Sequence, residues 1–224
     1  MRFKDRRAAG QHLAGELAAY AHRSDVLVLA LPRGGVPVAF EVAQALNTPL
    51  DVFLVRKLGV PGQEELAMGA IASDGVRVLN QDVVEAIHIS EAIINQVAAK
   101  EEQELERRER LYRNDRPAPD VHESIVILVD DGLATGATMR AAVKALRQQQ
   151  PARLVVAVPI SSPETCHDLK AEVDEIICAI TPCPFHSVGY WYDDFLQTTD
   201  EEVQDLLKQA ACIAQPSAVG ATDC

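Results

Sequence analysis

The chain has 224 residues, 48% of them hydrophobic and 24% charged, with a formal net charge of -12. That length buries a full core as one domain, alone or with a small extra lobe. The acidity excludes a non-specific grip on nucleic acid, which needs clustered Lys and Arg, and no stretch has the length of a membrane span. The opening Met1-Arg2-Phe3-Lys4-Asp5-Arg6-Arg7 runs into a helical pattern instead of an apolar leader core, so a cytoplasmic chain is expected. A polyanion must then enter through a local island of positive charge or as a metal complex. Cys166, Cys178, Cys183, Cys212 and Cys224 form an odd set late in the chain, read as ordinary thiols and not as a disulfide framework. Cys178 and Cys183 with His186 match no usual zinc spacing.

In chain order, residues 7–20 carry Leu13, Leu17 and Tyr20 at helical spacing. A short apolar strand at 26–31 runs into Pro32-Arg33-Gly34-Gly35, and a helix over 36–46 follows, with Pro37 at a tolerated early position. Residues 51–58 read as a second strand ending in Arg56-Lys57, followed by a polar loop over 59–65. Residues 68–72 and 76–79 suit a small hairpin around Asp74-Gly75. The period turns helical from Gln81 to Tyr112, and the mixed charges of 98–110 suit a solvated face laced with i,i+4 pairs. Three regular units come next: strand 125–129 with helix 137–149, strand 154–158 with helix 163–171, then strand 175–180. Such alternation predicts a parallel sheet with right-handed crossovers. An aromatic-rich segment, 185–195, and a closing helix, 200–210, complete the chain.

The densest information lies in residues 124–138, S-I-V-I-L-V-D-D-G-L-A-T-G-A-T. A strand covered on both faces ends in Asp130 and Asp131, which puts carboxylates at the mouth where open α/β sheets bind ligands. Adjacent strand residues face opposite ways, so both can serve one ligand only where the strand has ended. The loop after them, with Thr135, Gly136 and Thr138, can turn backbone N–H groups inward with a helix N-terminus behind. Two carboxylates beside a phosphate cradle suit a molecule with adjacent hydroxyls and a phosphate, such as a ribose 5-phosphate. The competing reading is a helix-capping pair. It leaves the Gly and Thr placement unexplained. Gly34 and Gly35 amides with the Arg33 guanidinium make a second anion cradle suited to pyrophosphate, and Arg56-Lys57 adds cations. Taken singly, the Gly pair reads most often as a turn, and Arg56-Lys57 reads equally as a solvated strand end.

From about Val26 to Glu202 the chain resembles the type I phosphoribosyltransferases, and more closely the bacterial phosphoribosyltransferase-domain proteins of unassigned substrate. The family pattern is an apolar strand, two acidic residues, and a Thr-Gly-x-Thr loop, here Ile125 to Thr138. The resemblance implies an α/β fold: a central, mostly parallel sheet flanked by helices, with a Rossmann-like core and a small hood or helical insertion. It implies one domain over 1–224, with a core at about 21–80 and 120–195, a helical insertion at 81–116, and a C-terminal helix and tail at 196–224. By the same resemblance Asp130 and Asp131 hold the ribose hydroxyls of phosphoribosyl pyrophosphate, and Ala134, Thr135, Gly136, Ala137 and Thr138 hold its 5-phosphate. Arg33-Gly34 matches the pyrophosphate loop, which in this family often contains a strained or cis peptide. Lys57 matches the basic residue seen after the second strand in the adenine and orotate enzymes. Phe185 or His186, before Val188-Gly189-Tyr190, stands where an aromatic residue stacks on a purine, and Asp193 where a carboxylate assists Mg2+ through substrate.

Two departures shape the expectation. Ala134 stands where the hypoxanthine and guanine enzymes carry an Asp general base, which points away from 6-oxopurines. Residues 59–65, at the place of the mobile lid, add no Lys or Arg. The resemblance thus implies a transferase using Mg2+-phosphoribosyl pyrophosphate and a nitrogen heterocycle. The alternative is a binding module that senses this compound or a nucleotide without turnover. Small-molecule substrates are the expected partners, with no nucleic acid and no membrane, and the helix over 81–112 offers a face for a homodimer.

Overall fold

A computed structural model describes residues 1–72, 75–113 and 116–214, without the side chains of Glu65 and Ala214. Its centre is a five-stranded parallel sheet in the order β2-β1-β6-β7-β8. The strands are β1 (Val26–Ala30), β2 (Leu50–Val52), β6 (Ile125–Val129), β7 (Arg153–Ile160) and β8 (Glu175–Ile180). Every residue of β1 and β6 is buried, as unbroken β-branched and leucine runs require in a sheet covered on both faces. Each such side chain is worth about 1.5–3 kcal/mol relative to exposure. Helices α1 (Arg6–Glu16) and α2 (Gly35–Leu46) pack together on one face with α7 (Asp200–Ala214). Helix α5 (Ala137–Gln148) covers the other face, joined by α6 (Pro163–Leu169).

The chain leaves β1 toward β2 on one side and meets β6 on the other. The switch point of the sheet therefore lies at the C-terminal ends of β1 and β6, where a doubly wound sheet opens a crevice. Above it stands a three-stranded antiparallel sheet of β3 (Val55–Val60), β4 (Gln63–Ala72) and β5 (Arg77–Leu79). It sits between α5 and α4 (Glu91–Arg113). Arg113, almost fully buried, ties the far end of α4 to β2 by donating to the Val52 carbonyl at 2.7 Å and pairing with Glu109 and Asp51.

Several sequence-based expectations are corrected here. Residues 51–58 are two strands in two sheets. β2 ends at Val52, and Arg56-Lys57 belongs to the hood strand β3. The polar loop expected over 59–65 is a tight hairpin: β3 continues to Val60, Pro61-Gly62 turns with Gly62 at φ +81°, and β4 begins at Gln63. The helix expected over 81–112 is broken into α3 (Gln81–Ala86) and α4, with His88 at φ 52° between them. The hairpin pairing 68–72 with 76–79 is present, and Asp74, expected in its turn, lies outside the described residues. Cys166 and Cys178, expected as thiols, are joined in a disulfide linking α6 to β8. Their spacing carried no signal, because the bond depends on α6 packing beside β8. Cys183 and Cys212 are free and exposed, and Cys224 lies outside the described residues. No helix among the described residues is long and apolar enough to cross a membrane.

Candidate active site

At the mouth of β6 the two carboxylates leave the sheet together, each half-buried. Asp130 turns one oxygen inward to accept the Asp131 amide at 2.8 Å. Asp131 Oδ2 accepts from Arg6 Nε at 2.9 Å and pairs with Arg6 Nη2 at 2.8 Å. The second oxygen of each carboxylate takes no hydrogen bond from the described residues. Burial pushes the Asp130 carboxyl well above the usual carboxylate range, and the neighbouring Asp131 charge adds to it. Burial also raises Asp131, opposed by the Arg6 guanidinium. Arg6 therefore balances Asp131 directly, while no cation pairs with Asp130 among the described residues.

Sequence reasoning missed Arg6. It reaches the site because Phe3 pairs with the aromatic segment near the C-terminus: the Phe3 amide donates to the Trp191 carbonyl, and the Asp193 amide to the Phe3 carbonyl, both at 2.8 Å. The Arg6 guanidinium lies 3.9 Å from the Phe195 ring centroid and donates to the Leu196 carbonyl. Tyr192, also missed, donates its hydroxyl to the Asp131 carbonyl at 2.6 Å. The only local signal for either was aromatic enrichment late in the chain.

The loop from Ala134 to Thr138 is open, with Ala134, Thr135, Ala137 and Thr138 exposed. The amides of Ala134, Thr135, Gly136 and Thr138 find no acceptor among the described residues, and α5 stands behind them. Gly136 is left-handed at φ +69°, and a Cβ there would lie 2.7 Å from the Thr165 methyl. The loop is braced from outside. Thr165 Oγ1 donates to the Ala134 carbonyl at 2.6 Å, and Arg140 donates to the Thr135 carbonyl at 2.8 Å while paired with Glu172. The Thr165 brace was not visible in the sequence pattern, since it depends on α6 coming alongside, whereas the Arg140 brace is local and gains Glu172 from the turn after α6.

The loop after β1 packs directly against the acidic pair. A Cβ on Gly34 would lie 2.1 Å from Asp131 Oδ2, and one on Gly35 2.8 Å from the Val129 carbonyl oxygen. Close approach requires both glycines. The Pro32–Arg33 peptide is cis, as the resemblance led us to expect. The Gly35 amide donates to the Leu31 carbonyl, so Gly35 acts through close packing and leaves the Arg33 and Gly34 amides as the available donors. Arg33 faces Asp200 of α7 at 3.8 Å.

Two cavities open beside these loops. One, of about 550 Å³, runs from Pro32 and Thr138 to α4, with Arg56, Lys57, Lys100, Arg108, Glu64 and Glu101 in its walls. The other, of about 220 Å³, is mainly apolar and lies between the hood and α5. Lys57 lines both. Phe185 packs in a satellite cluster with Phe3, Ile160 and Tyr192, and the exposed His186 ring lies 4.9 Å from Tyr190. Val188 presses against Gly132, where a Cβ would meet it at 2.6 Å. Asp193 pairs with Arg2 on the surface at 3.3 Å. Among the described residues no group of three His, Cys, Asp or Glu is arranged to hold a metal. Hard oxygen donors in a pair suit Mg2+ that keeps most of its ligands on a phosphorylated substrate.

The family model described as the phosphoribosyl transferase domain matches residues 3–193. Two curated chains of Mycobacterium tuberculosis, from strains CDC 1551 and H37Rv and provisionally named phosphoribosyl transferases, are 48% identical over 208 residues. The match covers 93% of this chain and 47% of theirs, so the chain spans about half the length of these relatives. Among solved structures, TT1426 of Thermus thermophilus is similar at 44% identity and a TM-score of 0.85, over 93% of this chain and 99% of that one. AQ2163 of Aquifex aeolicus shares the fold, with a TM-score of 0.50 and 14% identity over 90% of this chain and 84% of that one.

Proposed function

We propose, from the premise that this chain belongs to the phosphoribosyl transferase family, that it moves a 5-phosphoribosyl group from Mg2+-phosphoribosyl pyrophosphate to a nitrogen heterocycle. One observation carries this reading: two adjacent carboxylates, each with an oxygen to spare, stand beside a loop of four amides without acceptors among the described residues. A vicinal diol and a phosphate on one small sugar answer both demands.

In this reading the spare oxygens of Asp130 and Asp131 accept the ribose 2- and 3-hydroxyls, and the loop from Ala134 to Thr138 holds the 5-phosphate. The Arg33 and Gly34 amides, Lys57 and Arg56 face the pyrophosphate. Positive charge develops at ribose C1 as its bond to pyrophosphate oxygen breaks, and negative charge gathers on the leaving group. Preorganised donors and cations there lower the barrier most. Mg2+, held mainly by the substrate's own oxygens beside Asp130 and Asp131, would offset part of the diphosphate charge. The base attacks C1 from the side bordered by Gly132 and Val188, where Phe185 and His186 are the candidate stacking groups. The methyl of Ala134 supplies no general base, which favours acceptors whose attacking nitrogen needs no proton removed.

The test is pyrophosphate release from Mg2+-phosphoribosyl pyrophosphate with single bases added in turn. Release that depends on one base supports transfer. Tight binding in calorimetry with no release from any base supports the sensing alternative, which the uncharged Pro61-Gly62 turn and Ala134 favour. Absence of binding overturns both.

A further inference from the structure

The family lid is expected to bring cations to the pyrophosphate, yet the β3–β4 hairpin turn here brings none. The helix α4 offers them instead. Its inner stripe reads Ile94, Val97, Glu101, Leu105, Arg108 and Tyr112, three or four residues apart and so on one face. Ile94, Leu105 and Tyr112 on that stripe are buried in the core. A charged residue between Leu105 and Tyr112 is costly unless it meets a cavity or a partner. Arg108 meets the 550 Å³ cavity, along with Lys100 from the same helix and Arg56 from the hood.

The carboxylates nearby hold these groups without using them up. Glu104 accepts from Arg108 Nε at 2.8 Å, and Glu101 from Arg56 Nε at 2.7 Å. The terminal nitrogens of both guanidiniums make no hydrogen bond to the described residues, and Lys100 has no ion pair among them. Among the described residues in its walls are Arg56, Lys57, Lys100 and Arg108 with Glu64 and Glu101, in a chain whose net charge is -12. The cavity also touches Pro32 of the cis-peptide loop and Thr138 of the phosphate loop. A ligand fixed at both loops would extend its most anionic end toward α4.

We propose that α4 forms the pyrophosphate wall of the site, with Lys100 and Arg108 as substrate-binding cations that take the place of a charged lid. This rests on the reading under Proposed function and deepens it. The chemical class recognised is a diphosphate or its Mg2+ complex, attached to a sugar phosphate.

The experiment titrates wild type, Lys100→Ala, Arg108→Ala and Arg110→Ala with three probes: Mg2+-phosphoribosyl pyrophosphate, Mg2+-pyrophosphate and ribose 5-phosphate. Arg110 is exposed and outside this cavity, so its variant controls for net charge. Loss of a charge-assisted contact is expected to weaken both diphosphate ligands about ten- to a hundredfold in Arg108→Ala, and about tenfold in Lys100→Ala. Ribose 5-phosphate binding is expected to stay at the wild-type level in both, and Arg110→Ala to match wild type with every probe. Unchanged diphosphate affinity in both variants overturns the proposal and leaves the transferase reading standing. Equal loss of ribose 5-phosphate also overturns it, as a change in the whole site. Wild type that binds neither sugar phosphate overturns the parent reading, and this one with it. Lys100 is exposed, so its variant keeps the test open if Arg108→Ala misfolds.

Discussion

Asp131 and Asp130 have the same side chain and different tasks. Asp131 is balanced by Arg6 and offers an anionic acceptor. Its replacement by Ala removes charge-assisted hydrogen bonds worth about 1.5–3 kcal/mol, so sugar-phosphate affinity should fall about ten- to a hundredfold with the fold intact. Calorimetry with ribose 5-phosphate and a thermal melt check both parts. Asp130 holds a stability effect of known sign. Its folded pKa is raised, so between the ordinary carboxylate value and the raised one the folded chain binds more protons than the unfolded chain. Stability therefore falls as pH climbs through that window. Asp130→Asn keeps an acceptor for the Asp131 amide and removes the titration. It should be more stable than the native chain at neutral pH, with the gain shrinking toward pH 4 at no more than about 1.4 kcal/mol per pH unit. Urea unfolding at several pH values reads this out, and a difference independent of pH would refute it. The same variant should bind sugar phosphate more weakly, since an amide offers one acceptor where a carboxylate offers two.

At the scale of elements, the phosphate loop is braced by α6 as well as by its own helix. Ser162 caps α6 by accepting the Thr165 amide, which sets the Thr165 hydroxyl on the Ala134 carbonyl. Thr165→Val keeps the methyl that faces Gly136 and deletes the donor. One net hydrogen bond is worth about 1 kcal/mol, so ribose 5-phosphate should bind about fivefold more weakly. Unaltered affinity would mean that Arg140 alone braces the loop. The Cys166–Cys178 bond anchors the same helix to β8. On the other side of the site, α4 serves both as a core helix and as a charged wall. Its buried residues hold it to the hood and to α7, so Arg108 is placed by packing that its own chemistry does not supply.

Across the whole molecule, stability is unevenly shared. β1, β6 and β7 have paired neighbours on both edges and mostly buried side chains. The hood sheet has three strands, irregular pairing after Leu58, and support only from α4 and α5 among its larger packing partners. Hydrogen exchange should therefore be slowest in the three central strands and markedly faster in β3 to β5, with a sugar phosphate and diphosphate together slowing the hood. Equal protection of both sheets in the empty protein would contradict this division.

Much of the parallel core and half of the site were readable from neighbouring residues alone. The unbroken apolar runs of β1 and β6 demand two-sided cover. The step from Val129 to Asp130 marks the end of the strand, and the Gly and Thr residues after it suit an open turn leading into a helix. These are short-range properties, set by side-chain volume, backbone freedom and the cost of burying charge. Sequence spacing was silent where residues far apart meet. Arg6 finds Asp131 across 125 positions and Thr165 finds Ala134 across 31. Residues 51–58 divide between two sheets because β2 completes the edge of one sheet, whereas Arg56 and Lys57 pair with β4 in the other. Such meetings follow from which helix face packs on which strand, and that choice belongs to the folded chain as a whole.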